Sequence, residues 1–61
     1  MGAVMRFIVW LGTQIGRFTA RTINRVIAWA RRNAKIVQRW IERGVNYGTI
    51  LIWILQALGI Q

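Results

Sequence analysis

Few side chains in this sequence can make or break bonds. Its only acid is Glu42, its only lysine Lys35 and its only tyrosine Tyr47, joined by four threonines; Asp, Ser, Cys, His and Pro are absent. A carboxylate pair for acid–base work, a Ser/His/Asp set and a Cys/His pair all require residues the chain does not hold. Without His or Cys the common zinc sites are excluded, and so are disulfide and lanthionine staples. The spacing Gly44-x-x-x-Gly48 matches neither a phosphate loop nor a dinucleotide fingerprint. The expectation is a non-enzyme, with no cofactor, no metal and no small-molecule substrate.

The chemistry that remains is charge. Nine cations against Glu42 give +8 on 61 residues. A surplus of that size repels itself in a compact chain and seeks polyanions, either nucleic acid or an anionic lipid surface. The chain is 56% hydrophobic with four tryptophans, and helices that pair Lys/Arg with Trp, Phe and Leu are typical of membrane-surface peptides. An anionic membrane is therefore the expected partner, and nucleic acid the less favoured one. Apart from Arg6, the cations are Arg17, Arg21, Arg25, Arg31, Arg32, Lys35, Arg39 and Arg43. Together with Trp10, Trp29, Trp40 and Trp53 they form the candidate membrane-binding set. Glu42 is expected to make only a weak surface pair with Arg39, three residues back.

Helical spacing must position these groups. Val4, Phe7, Ile8, Leu11 and Ile15 recur with the period of a helix, and Gly16 suits a stop after it. Ile23, Val26, Ile27 and Ala30 form one apolar face, with Arg17, Arg21 and Arg25 every fourth residue opposite. Ile36, Val37, Trp40 and Ile41 repeat the pattern against Arg32, Lys35, Arg39 and Arg43, and Gly44 closes that segment. One uninterrupted helix through both stripes would be roughly 40 Å long. A compact chain of this size has a radius of gyration of about 10–11 Å and a diameter near 27 Å. A break near Asn33, which tolerates left-handed or capping conformations, is therefore expected. Asn46 can cap a fourth segment, in which Ile50 to Leu55 is apolar on every side and so suited to a core. The prediction is one all-α domain over 1–61, with helices at about 3–14, 18–31, 34–43 and 46–58. Its form is a compact four-helix bundle around the apolar C-terminal helix. Trp10 and Trp29 lie off the centre of their stripes and are expected exposed or half-exposed; for Trp40, core and surface roles are equally open.

Export signals are weak. Arg6 precedes the five apolar residues Phe7 to Leu11, short of the about 7–15 that a signal peptide requires. Secretion without a cleaved leader is the expectation.

Several short stretches resemble the leaderless class II bacteriocins of the lacticin Q and aureocin type. They are Ala28-Trp29-Ala30, Lys35-Ile36-Val37, Trp40-Ile41, Gly44 and Leu58-Gly59-Ile60, with Met1, Arg6 and Gly16 in the opening. The resemblance covers about two thirds of the chain, with Trp29, Lys35 and Trp40 on matching positions. It implies a saposin-like four-helix fold, synthesis without a leader and direct permeabilisation of Gram-positive membranes. The chain departs from the family in using arginine for lysine, in added length around Arg17 to Ile27, and in a charge-free fourth segment that points toward self-association. Two rivals stand beside this expectation. One is an integral membrane peptide such as a holin or a toxin of a toxin–antitoxin pair, because residues 44–61 carry no charge and reach roughly 27 Å as helix, against a hydrocarbon core of about 30 Å. The other is a basic helical nucleic-acid binder.

Overall fold

The structure, a computed structural model, describes residues 2–60. Met1, which enters the resemblance above, and Gln61 lie outside the described residues. Four helices follow one another: α1 (Ala3–Gly12), α2 (Ala20–Arg32), α3 (Ala34–Glu42) and α4 (Tyr47–Leu58). Their boundaries follow local chemistry. The Thr19 side chain accepts a hydrogen bond from Thr22 N–H at the start of α2 (3.2 Å). Asn46 does the same for Thr49 N–H at the start of α4 (2.8 Å). Each cap satisfies a donor that the first helical turn leaves without a partner.

The expected break between α2 and α3 is present, one residue wide, at Asn33. Its backbone (φ −120°, ψ 39°) is not left-handed, and its side chain does not cap α3. Instead Asn33 Nδ2 donates back to the Trp29 carbonyl (3.0 Å), beside the backbone bond from Asn33 N–H to the same oxygen (2.9 Å). The side chain thus holds the end of α2 while the chain turns. Gly44 ends α3 as the spacing predicts. At φ +86° it lets Val45 N–H reach Trp40 O (3.1 Å) and Gly44 N–H reach Ile41 O (3.0 Å), the paired bonds of a Schellman motif. Gly16 does not act this way. The only positive φ angles among the described residues are at Gly44 and Gly59. Helix α1 stops earlier, where the Thr13 hydroxyl and N–H both donate to Trp10 O (2.6 and 2.9 Å).

Ten residues form the core: Phe7 and Leu11 from α1, Ile23, Val26 and Ala30 from α2, Val37 from α3, and Ile50, Leu51, Ile54 and Leu55 from α4. The apolar C-terminal helix contributes most, in keeping with its composition. It is not enclosed on all sides, however. Ile52 is 54% and Trp53 37% exposed, because three short helices cover only one side of a fourth. Ile15 and Ile36 also depart from their expected stripes and are exposed. Ile15 follows the early end of α1, and Ile36 sits about 100° around α3 from buried Val37. The bundle measures 27 × 21 × 19 Å with a radius of gyration of 10.5 Å. None of these helices is long and apolar enough to cross a membrane. The twelve residues of α4 extend only about 18 Å.

Candidate lipid-facing surface

At 100° per residue, Arg21, Arg25 and Arg32 of α2 fall within an arc of about 40°, directly away from the buried stripe. All three are exposed. Arg32 was expected on the third segment, but α2 runs on to include it. Arg17 was expected to share this face through its four-residue spacing. It precedes the Thr19 cap and lies outside the helical repeat, at the mouth of a groove lined by Trp10, Phe18 and Ile52. Arg31 is exposed but points about 80° away from Arg21 around α2. On α3, Lys35 and Arg39 lie about 40° apart, Arg43 follows as the C-cap, and all three are exposed.

Glu42 does not offset this charge through Arg39. Its carboxylate accepts from Gln38 Nε2 instead (3.1 Å), four residues back, where helical geometry brings side chains together.

The tryptophans organise the surface in a way their spacing did not reveal. Trp29 of α2 and Trp40 of α3 stack with ring centroids 6.1 Å apart and planes 7° from parallel. Trp53 of α4 meets Trp40 edge-on at 5.0 Å and 71°. These geometries suit the quadrupoles of aromatic rings, and one row of indoles ties three helices together. Trp29 and Trp40 are half-buried in it, and Trp53 is 37% exposed. Trp29 borders the basic arc of α2, with Arg25 about 40° away around the helix. Trp40 borders that of α3, next to Ile36 and Arg43. Because the two indoles stack on each other, the side of α2 next to Arg25 adjoins the side of α3 that carries Ile36. Ile36 and Trp53 are both partly exposed.

Trp10 belongs elsewhere. It is half-buried and packs with Phe7 (6.0 Å) and Tyr47 (5.4 Å) where α1 meets the start of α4. Phe7 and Tyr47 complete this second cluster at 5.3 Å. Met5 and Val9, 51% and 66% exposed on α1, add a further apolar face that periodicity did not single out. Among the described residues no His/Cys/Asp/Glu group could hold a metal ion, and the core contains no polar side chain. No family model, curated protein or solved structure matches the chain.

Proposed function

We propose that the protein is a secreted antibacterial peptide of the bacteriocin kind, which binds anionic bacterial membranes and permeabilises them. One observation carries this reading: α2 and α3 both present exposed cations, and a tryptophan row ending in the partly exposed Trp53 joins these two helices to α4. An anionic leaflet attracts each nearby Lys or Arg by about 1 kcal/mol. Four engaged side chains then contribute about 4 kcal/mol, on the order of a thousand-fold in affinity. An indole suits the headgroup region, where one edge stays hydrated and the other lies against acyl carbon.

The proposed sequence of events starts with charge. Arg21, Arg25, Arg32, Lys35, Arg39 and Arg43 draw the bundle to the surface. Trp53 and Ile36 then enter the interface and displace lipid, and Ile52 follows as the bundle tilts. Leakage arises from this crowding of one leaflet, since no helix of the bundle has the length of a span. The resemblance to lacticin Q and aureocin points the same way.

Dye release from vesicles with the peptide added from outside tests the reading. Release from anionic vesicles, with killing of bacteria by purified peptide, supports it. A peptide found only in the membrane fraction of its producer and inert from outside would support the integral membrane rival. Salt-sensitive retardation of DNA without leakage would support the nucleic-acid rival.

A further inference from the structure

A cleft at one edge of this surface has a composition of its own. It is lined by Arg25, Ala28, Trp29 and Arg32 of α2 and by Leu58, the last residue of α4. Seven residues separate the arginines, which puts their Cα atoms about 10.5 Å apart on almost the same line of the helix. Both are exposed, and the rest of the lining is Ala28, Trp29 and Leu58, none of them charged. We infer that this cleft is a binding site for a membrane lipid bearing two phosphates joined by a short carbon linker.

A guanidinium grips a phosphate through two parallel N–H donors. One phosphate satisfies one such fork and leaves the other in water. Two phosphates on a short tether engage both, and the uncharged linker then lies over Ala28, Trp29 and Leu58. The remaining arginine pair on α2, Arg21 and Arg31, has no equivalent. Those two side chains diverge by about 80° and do not line this cleft. The inference rests on the membrane reading above and adds lipid selectivity to it.

Vesicles of equal total charge test it, one set containing phosphatidylglycerol and the other cardiolipin at half the molar fraction. The unaltered peptide is expected to bind the cardiolipin set about five-fold more tightly, a modest gain typical of one added charge-assisted contact. R25Q/R32Q should lose that preference, whereas R21Q/R31Q should weaken binding to both sets and keep it. R25K/R32K should hold overall affinity but lose most of the preference, since an ammonium lacks the planar fork. Circular dichroism of each variant confirms that the bundle persists. An unaltered peptide that binds both sets equally, or an R25Q/R32Q variant that keeps the preference, overturns the site while leaving the membrane reading in place. Binding to neither set overturns both. Equal dependence on Arg25 and Arg32 for a short single-stranded DNA would assign the cleft to nucleic acid instead.

Discussion

Replacing Trp40 with alanine removes the indole that both Trp29 and Trp53 touch. Each aromatic contact contributes about 0.5–1.5 kcal/mol beyond area burial. Truncating a fully buried Trp costs about 3–5 kcal/mol, so a half-buried one loses about half of that. The combined cost is about 3–4 kcal/mol, against the about 3–5 kcal/mol that a core of this size supplies. W40A should therefore be largely unfolded in buffer at 25 °C. W53A removes a single aromatic contact from a ring that is 37% exposed and should cost about 2 kcal/mol, less than W40A. Urea titrations followed by far-UV circular dichroism measure both. If W40A kept the urea midpoint of the unaltered protein, or W53A lost as much as W40A, the indole row would not hold α2, α3 and α4 together.

Gly44→Ala forces a side chain into φ +86°, where a Cβ would meet no atom within 4 Å, so the cost is backbone strain alone. About 1–2 kcal/mol should be lost in the same urea assay. Asn46→Ala leaves Thr49 N–H without its cap and should lower stability by about 1 kcal/mol. R21Q/R25Q should weaken binding to anionic vesicles by about 2 kcal/mol, on the order of thirty-fold, with circular dichroism unchanged. Lysine at both positions should cost much less in overall affinity, because diffuse surface attraction does not require a planar fork.

Much of the fold is legible along the chain because helical periodicity reports which side of each segment is buried. Phe7, Leu11, Ile23, Val26, Ala30 and Val37 lie in the core where their stripes place them. The turn at Asn33 followed from size, as no glycine or proline marks it. Periodicity does not report which neighbour a buried edge meets. Trp29 and Trp40 lie eleven residues apart across that turn, and only the angle between α2 and α3 makes them stack. The packing of Tyr47 is illegible for the same reason: its partners Phe7 and Trp10 are about forty residues away and are met only through tertiary packing. Arg17 shows the reverse error. Its regular spacing suggested a helical face, but Thr19 starts α2 two residues later, and a cap outweighs a weak pattern. Composition described α4 as apolar all round, but it could not say that too few helices are present to cover Ile52 and Trp53.

The central claim is that exposed positive charge brings this bundle to a membrane and that leakage follows from that encounter. Dye release measured on anionic and neutral vesicles, each at low and high salt, tests it most directly. Between about 0.01 and 1 M salt the Debye length falls from about 30 Å to about 3 Å. The account predicts strong release from anionic vesicles at low salt, a steep decline as salt rises, and little release from neutral vesicles at either salt. Equal release from both kinds of vesicle, unchanged by salt, would contradict it and would assign the activity to the exposed apolar faces of α1 and α4 instead.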